Sequence, residues 1–230
     1  MSELSAPIKR SPLHWVLTSS GASLTRRGGW EIALSFGDVT QEVSSARSQV
    51  GLSDFSFTTK WDIQGADLED ALLRLSSEKA LKTNKAMIYG TGFVSRLSLS
   101  HAMCFAEPSD NSAALSEFVK ETSGRCVHVI DRTSGFGHLI LCGPKSQSVL
   151  RRLMSLDVRE GSFPHLTCAW APMAGVRILL VRNDRKDIPA YEIIVSREYT
   201  EYLWTTILEA GQMHRIRPLG FDSVRLLGAE

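Results

Sequence analysis

The sequence predicts an α+β fold in which antiparallel sheets are covered by helices. A strand followed by an amphipathic helix recurs three times along the chain, whereas other strand-like segments have no helix after them. No G-x-G-x-x-G or G-x-x-x-x-G-K-[ST] string opens a helix, so the usual phosphate-binding loops are missing from the sequence. These observations favour antiparallel sheets over a doubly wound parallel sheet.

Glycine marks the end of the strand in the first two copies of this unit. Strands are predicted at Lys60–Gln64, before Gly65, and at His138–Cys142, before Gly143. The helix after each strand has an apolar face, formed by Leu68, Leu72 and Leu75 in the first copy and by Val149, Leu150 and Leu153 in the second.

The third copy begins with a strand at Tyr191–Val195. The apolar face of its helix carries Tyr199, Leu203, Ile207 and Leu208, and Gly211 is predicted to cap the C-terminus. The composition of Glu107–Ser112 predicts a loop. Four further strands are predicted at Val94–Leu99, Ala102–Ala106, Val127–Ile130 and Val176–Val181.

Composition narrows the class of protein. The chain has 230 residues, of which 43% are hydrophobic and 22% charged, which excludes a disordered or fibrous protein. The net charge of +1 provides no strong field for nucleic acid or anionic lipid, so we expect neither as a partner. No apolar run reaches the roughly eighteen residues of a membrane span and no signal-like segment is seen, so we expect a cytoplasmic protein.

Metal binding and nucleophilic catalysis have little support in the sequence. The histidines do not stand at metal-ligand spacings, so we expect no metal, and no G-x-S-x-G turn occurs. The basic pairs Arg26-Arg27 and Arg151-Arg152 are expected to be solvated. Four cysteines lack a C-x-x-C pairing and are predicted to be buried thiols of a reducing compartment: Cys104, Cys126, Cys142 and Cys168.

One carboxylate stands out as a candidate binding residue. Glu192 lies within the predicted strand Tyr191–Val195, where alternation places Tyr191 and Ile193 on the opposite face. It either faces solvent or lines a cleft. In a cleft it could accept two parallel, charge-assisted hydrogen bonds from an amidine-like edge, such as the amino-pyrimidinone of a pterin.

Five strings in order along the chain resemble one family. They are Gly28–Gly37, Ala46–Asp67, Ile130–Leu153, Tyr191–Gly211 and Arg217–Glu230. The second string contains A-R-x-x-x-G-L-x-D-x-S before a strand, the third contains G-P-x-S-x-x-x-L, the fourth contains Y-E-I, and the fifth contains R-P-x-G followed by D-S-x-R-L. Together the strings are similar to the glycine-cleavage T-protein (aminomethyltransferase) family and to the folate-binding portions of sarcosine and dimethylglycine dehydrogenases.

The resemblance implies a fold and a ligand. It implies that residues 1–230 form a T-protein-like folate-binding region of α+β subdomains, one of them ferredoxin-like, around a central cavity for tetrahydrofolate. The subdomains are expected at roughly 1–50 with 125–230, and at 51–124. The resemblance also implies that Glu192 holds the pterin ring, that Tyr191 lies beside it in the wall, and that Arg225 matches the arginine of the D-[ST]-L-R-L region.

Three departures from the family accompany this resemblance. Ser95 and Arg96 stand where aminomethyl-transferring members carry two aspartates, and a guanidinium there reverses the sign of the field on a developing iminium. The loop Arg182–Ile193 has lost the family's glycines and gained Pro189, so the pocket wall is expected to differ. The chain also ends at Glu230, before the C-terminal barrel domain of relatives.

Three hypotheses for function follow. The first is a folate-binding protein of one-carbon metabolism that transfers an aminomethyl or methyl group from a small amine or methyl donor to tetrahydrofolate. The second is a non-catalytic subunit that docks an oxidase or demethylase chain, or a second copy of itself. The third keeps catalysis but changes the donor, with Arg96 binding an anionic donor or the folate glutamate tail. Alternatively, Arg96 is an exposed strand residue.

Overall fold

Two large β-sheets, a small sheet and several helices make up the part of the chain that this computed structural model describes, residues 7–76, 80–108, 120 and 124–229. The strands are β1 (Lys9–Arg10), β2 (Ser23–Arg27), β3 (Trp30–Ser35), β4 (Gly51–Asp54), β5 (Thr59–Gln64), β6 (Lys85–Tyr89), β7 (Gly92–Arg96), β8 (His101–Ala106), β9 (His128–Asp131), β10 (Phe136–Cys142), β11 (Cys168–Met173), β12 (Val176–Arg182), β13 (Ala190–Ser196) and β14 (Arg217–Leu219). The α-helices are α1 (His14–Ser19), α2 (Val39–Ser48), α3 (Leu68–Ser76), α4 (Ser146–Leu153), α5 (Thr200–Gly211) and α6 (Phe221–Ala229).

Strand pairing confirms the predicted α+β class. One sheet has six strands in the order β11-β12-β13-β10-β4-β14, a second has five in the order β6-β7-β8-β5-β9, and the third is β1-β3-β2. Among the described strands, the pairs β1–β3 and β14–β4 are parallel and the other pairs are antiparallel. The five-stranded sheet is formed by consecutive strands, β5 to β9, so the change from one sheet to another comes after β4 and again after β9. The sequence places the subdomain limits near residues 50 and 124.

All three predicted strand–helix units are present, as β5–α3, β10–α4 and β13–α5. The glycines that end the first two strands allow close backbone contact. A Cβ on Gly65 would lie 1.9 Å from the carbonyl oxygen of Cys126. A Cβ on Gly143 would lie 2.5 Å from the carbonyl oxygen of Ala46, and Gly143 also has a φ of +123°. Glycine is therefore required at both positions.

The helix of the third unit differs from its prediction at both ends. Tyr199 precedes α5 and is exposed, whereas Leu203, Trp204 and Ile207 of α5 are buried. Gly211 is the last residue of α5 and has a φ of −88°, so the predicted cap at Gly211 is wrong, and the nearby residue in the left-handed region is Arg215. The glycine serves packing instead, because a Cβ there would lie 2.7 Å from the Ile216 side chain.

Three of the four cysteines are buried, as predicted. Cys104, Cys142 and Cys168 are buried free thiols, but Cys126 is exposed because it lies in the turn before β9 and not within a strand. Of the predicted loop at 107–112, only Glu107 and Pro108 are described, and residues 109–112 lie outside the described residues.

The six-stranded sheet has two differently composed faces. On β13, Tyr191, Ile193 and Val195 enter the core under α4 and α5, while Glu192 and Ile194 point to the other side. On the neighbouring β10, Leu139 and Leu141 share the helix-covered face, while His138 and Ile140 share the face of Glu192. The polar residues on this second face therefore meet the five-stranded sheet.

The two large sheets contact each other next to that polar cluster. Phe93 of β7 and Phe105 of β8 pack with Leu179 and Ile194 of the six-stranded sheet. Backbone hydrogen bonds of 2.8 Å from Ala86 N to Leu166 O and of 3.0 Å from Cys168 N to Asn84 O join the same regions. This junction fixes the position of the two large sheets relative to each other.

We predict that Gly143→Ala lowers the free energy of unfolding by about 3 kcal/mol, since the new methyl group meets backbone oxygens and the φ is unfavourable for an L residue. Urea unfolding measures the change. Gly175→Ala is the matched control, because Gly175 also has a positive φ but a Cβ added there would meet no atom within 4 Å. An equal loss in both variants would contradict the role of backbone contact at Gly143.

Candidate functional site

A cavity of about 400 Å³ lies where the two large sheets meet α6. This volume is within the range of roughly 300–1,000 Å³ that is typical of small-ligand sites. Its lining includes Glu192, Glu107 and Arg225. The cavity therefore brings together two of the residues that the sequence singled out, Glu192 and Arg225.

Glu192 is the central polar group of the cavity. It is 1% exposed and accepts three hydrogen bonds. Oε2 accepts from His138 Nε2 at 2.7 Å, while Oε1 accepts from Asn183 Nδ2 at 2.9 Å and Arg185 Nη2 at 2.7 Å. Burial raises the pKa of Glu192, but the charge of Arg185 and the bonds from His138 and Asn183 outweigh burial and hold that pKa below its usual range. The side chain is therefore a carboxylate at neutral pH.

His138 connects this carboxylate to the chain between β4 and β5. Burial lowers the pKa of His138 below its usual range, although the hydrogen bond and charge of Glu192 oppose this. The ring is therefore neutral at pH 7, and Nε2 carries the proton because the carboxylate can only accept. Nδ1 then accepts from Thr58 Oγ1, 2.8 Å away. The Thr58 hydroxyl also lies 2.9 Å from the carbonyl oxygen of Phe55.

A fully buried lysine holds the segment that carries Thr58. Lys60 Nζ donates to the carbonyl oxygens of Ser56 at 2.8 Å and Thr58 at 2.6 Å. Burial lowers the pKa of Lys60 to about 7, against the raising effect of Asp54 and Asp131. Phe55 and Thr58, which line the cavity, are thus positioned by a side chain behind them.

The loop after β12 contributes the other two donors to Glu192. Asn183 is 4% exposed and its backbone N–H donates to Ala190 O at 2.8 Å. Arg185 and Ile188 exchange backbone hydrogen bonds of 2.9 and 3.0 Å, which closes the turn that Pro189 follows. Asn183 and Arg185 both line the cavity, so this loop does form part of the pocket wall.

Two arginines share the carboxylate of Glu107, and of these two Arg225 lines the cavity. Glu107 is buried and accepts from Arg27 Nη2 at 2.7 Å and from Arg225 Nη1 at 3.0 Å. Both guanidinium groups also lie over the ring of Phe221, at 4.6 Å for Arg27 and 5.8 Å for Arg225. Arg27 is therefore paired rather than simply solvated, and the cluster has a net positive charge.

Aromatic rings provide part of the apolar lining of the cavity. Phe93 and Phe105 are stacked with ring centroids 4.7 Å apart, and the ring of Phe55 lies beside that of His138. Phe55, Phe93 and Phe105 all line the cavity. A flat ring system could pack against these side chains while polar atoms reach Glu192.

Tyr191 lies on the other face of β13. Its side chain is fully buried in the core under α4 and α5, and its hydroxyl donates to Val158 O at 3.0 Å. It does not line the cavity. Strand alternation explains this position, because neighbours of Glu192 on one strand must point away from it.

Ser95 and Arg96 do not line the cavity either. Ser95 is fully buried, and Arg96 is 4% exposed, so the alternative that Arg96 is an exposed strand residue is wrong. Arg96 shares the face of β7 that packs against α3. Its guanidinium donates to the carbonyl oxygens of Leu81 at 2.7 Å and Ser98 at 3.2 Å, and to Glu69 Oε2 at 3.2 Å.

Sequence reasoning missed several residues of this cavity, namely Thr58, Glu107, His138, Asn183 and Arg185. His138 stands two residues before Ile140, on a strand whose register pairs Ile140 with Glu192. Diagonal neighbours of this kind reach each other across antiparallel strands. The register itself could not be read from the sequence.

Neither a metal cluster nor a membrane-spanning helix is found in the described residues. No group of three or more His, Cys, Asp or Glu side chains within them is arranged to hold a metal ion. In the same part of the chain, no helix combines the length and apolar character needed to cross a bilayer.

Comparison with protein-family models matches residues 13–230 to the GCVT N-terminal domain. An aminomethyltransferase of Desulfitobacterium hafniense is 25% identical over 231 residues, which is 94% of this chain and 62% of the relative. The sarcosine oxidase subunit alpha of Rhizobium meliloti is 26% identical over 251 residues, covering 97% of this chain and 25% of that subunit. The chain thus spans less than two thirds of these relatives.

Solved structures show the same fold. Aminomethyltransferase T of the Bartonella henselae glycine cleavage system superposes with a TM-score of 0.81 at 19% identity, over 96% of this chain and 62% of that chain. A chain of the heterotetrameric sarcosine oxidase of Corynebacterium sp. U-96 gives a TM-score of 0.66 at 18% identity, over 90% of this chain and 96% of that chain. The fold expected from the resemblance is confirmed.

We predict that His138 makes stability depend on pH. Because its folded pKa lies below the unfolded value of about 6.5, its contribution is fully present above that pH and is lost as the pH falls, by at most about 1.4 kcal/mol per pH unit. Urea unfolding between about pH 6.5 and about 5 measures this slope, because in that window Glu192 stays charged and Lys60 is already mostly protonated.

His138→Gln should flatten the slope, because glutamine does not titrate. His128→Gln is the matched control, since His128 is exposed on β9, and this variant should retain the slope of the unmodified protein. An unchanged slope in His138→Gln would contradict the prediction.

Proposed function

The chain belongs to the GCVT N-terminal domain family, and from this premise we propose that its cavity binds a reduced folate and serves folate-dependent one-carbon transfer. The observation that carries the proposal is a buried, ionised carboxylate, Glu192, in the wall of a cavity that three phenylalanine rings also line. The names of the aminomethyltransferase relatives support the reaction class. The free thiols agree with action in the cytoplasm.

The residues of the cavity fit such a ligand. Phe55, Phe93 and Phe105 offer apolar surface to a flat bicyclic ring, and Glu192 offers acceptors to its amino-pyrimidinone edge. Arg185 Nε is buried in the same wall and has no hydrogen-bond partner among the described residues. An unpaired buried donor is costly unless a ligand pairs with it, which favours a ligand that also carries an acceptor.

The positive cluster of Arg27, Glu107 and Arg225 suits the other end of the ligand. Folates carry a carboxylate tail, and guanidinium groups bind carboxylates through paired N–H donors. Arg225 is 54% exposed at its side chain, so it is accessible to a tail that reaches out of the cavity. Bound tetrahydrofolate would supply a nucleophilic nitrogen that accepts the one-carbon unit.

The transfer step lacks the aspartate pair of aminomethyl-transferring relatives. Ser95 and Arg96 stand at those positions and lie outside the cavity, so they do not contribute the missing negative charge. The carboxylates that line the cavity among the described residues are Glu107 and Glu192, and both are paired with arginine. We therefore assign binding roles to Glu192 and Arg225 and no catalytic residue. The donor is a small amine or a methyl donor.

A second candidate function is that of a subunit docked to an oxidase or demethylase chain. The support for this candidate is a similarity in length. The match to one chain of heterotetrameric sarcosine oxidase covers 96% of that chain. A unit of this size thus occurs as a separate chain of an oxidase assembly. The missing aspartate pair also suits a chain that binds folate without carrying out the transfer.

We predict that Glu192→Gln weakens tetrahydrofolate binding by about tenfold or more, because the charge-assisted hydrogen bonds to the ring become neutral ones. Isothermal titration calorimetry measures the dissociation constant. Glu198→Gln is the matched control, since Glu198 is an exposed carboxylate just after β13. Absence of binding by the unmodified protein at high micromolar folate would refute the proposal.

The second candidate predicts a stoichiometric partner. Tagged chain purified from its native host should retain one oxidase or demethylase polypeptide through gel filtration, and folate-dependent release of formaldehyde or ammonia should require that partner. Folate-dependent transfer by the isolated chain would instead exclude the non-catalytic role.

A further inference from the structure

The hydrogen-bonding capacity of Glu192 is nearly filled by the protein itself. A carboxylate has about four acceptor positions, two on each oxygen. Oε1 uses both of its positions on Asn183 and Arg185, whereas Oε2 uses one on His138. A ligand edge with two N–H donors therefore finds one open position on Oε2 and must displace a donor from Oε1.

Arg185 is the donor that can leave Oε1 at the lower cost. Its side chain is 24% exposed, whereas Asn183 is 4% exposed and is held at the end of β12 by its backbone hydrogen bond to Ala190. A guanidinium has five N–H donors, so Arg185 can exchange one partner for another without losing its own hydrogen bonding.

Arg185 also has donors available for a new partner. Nη2 is bonded to Glu192, while the buried Nε has no partner among the described residues. Because Arg185 lines the cavity next to Glu192, these donors lie beside any ring edge that the carboxylate binds. The pair thus presents an acceptor and a donor side by side.

We propose that Arg185 determines the specificity of the cavity by donating a hydrogen bond to the ring carbonyl of the folate amino-pyrimidinone. This inference rests on the proposed function. The edge of that ring carries an amino group, a ring N–H and then a carbonyl oxygen, which is two donors followed by one acceptor. When Arg185 leaves Oε1, Glu192 accepts from the donors and Arg185 donates to the carbonyl.

The consequence is selection against rings in which an amino group replaces the carbonyl. A carboxylate alone favours such rings, because they are more basic and bind it with charge assistance. Arg185 opposes them, since its donors would face a donor and its positive charge would face a protonated ring. The arrangement therefore reverses the preference that Glu192 would have by itself.

The experiment compares tetrahydrofolate with tetrahydroaminopterin, in which an amino group replaces the ring carbonyl. Isothermal titration calorimetry with the full chain gives both dissociation constants. The unmodified protein should bind tetrahydrofolate about tenfold or more tightly. In Arg185→Met the two ligands should bind equally, or the amino-substituted ligand more tightly.

Two further variants separate this role from a structural one. Arg185→Lys keeps the charge and a donor but loses the planar fork, so it should retain part of the preference. Arg177→Met removes an exposed arginine of β12 and should leave the ratio unchanged. If Arg185→Met does not fold, Arg185→Lys still tests the inference, because a ratio equal to that of the unmodified protein would contradict it.

The two proposals fail in different ways. Equal binding of both ligands by the unmodified protein, or an undiminished preference in Arg185→Met, would overturn the role of Arg185 and leave the folate proposal in place. Binding of neither ligand by the unmodified protein would overturn the folate proposal and this inference together.

Discussion

The buried carboxylate of Glu192 is the constraint on which the cavity depends. A charge removed from water is strongly destabilising unless charged and hydrogen-bonding groups compensate it. Here β10 supplies His138, and the loop after β12 supplies Asn183 and Arg185. Thr58 in turn holds the His138 ring from the connection between β4 and β5. Three separate parts of the chain are therefore positioned by one side chain.

The two-faced six-stranded sheet makes this arrangement possible. Its helix-covered face is apolar and includes Tyr191 and Ile193, which hold β13 in place without reaching the ligand side. The opposite face carries Glu192 and His138 toward the five-stranded sheet, whose Phe93 and Phe105 form the apolar wall. Stability and binding thus use alternate residues of the same strands. The face of β7 that packs against α3 holds Arg96, away from the cavity.

Local patterns were sufficient for much of the fold. An alternating segment predicted β5 and short, mainly apolar segments predicted β10 and β13, while apolar residues at helical spacing predicted the helices after them. These signals depend only on neighbours in sequence. Glu192 was a candidate for the same reason, as a charged residue within an apolar strand. The alternation that singled out Glu192 also placed Tyr191 on the other face, which the family resemblance alone did not indicate.

The partners of Glu192 could not be predicted in this way. His138 is 54 residues away from it and meets it only through the register of β10 and β13. Arg27 and Arg225 meet Glu107 across 80 and 118 residues, so their shared ion pair is a product of the tertiary fold. A crystal structure of the chain with tetrahydrofolate tests the central claim most directly. We expect the amino-pyrimidinone edge against Glu192, with Arg185 on its carbonyl oxygen. A ligand bound elsewhere, with the three contacts of Glu192 unchanged, would contradict that claim.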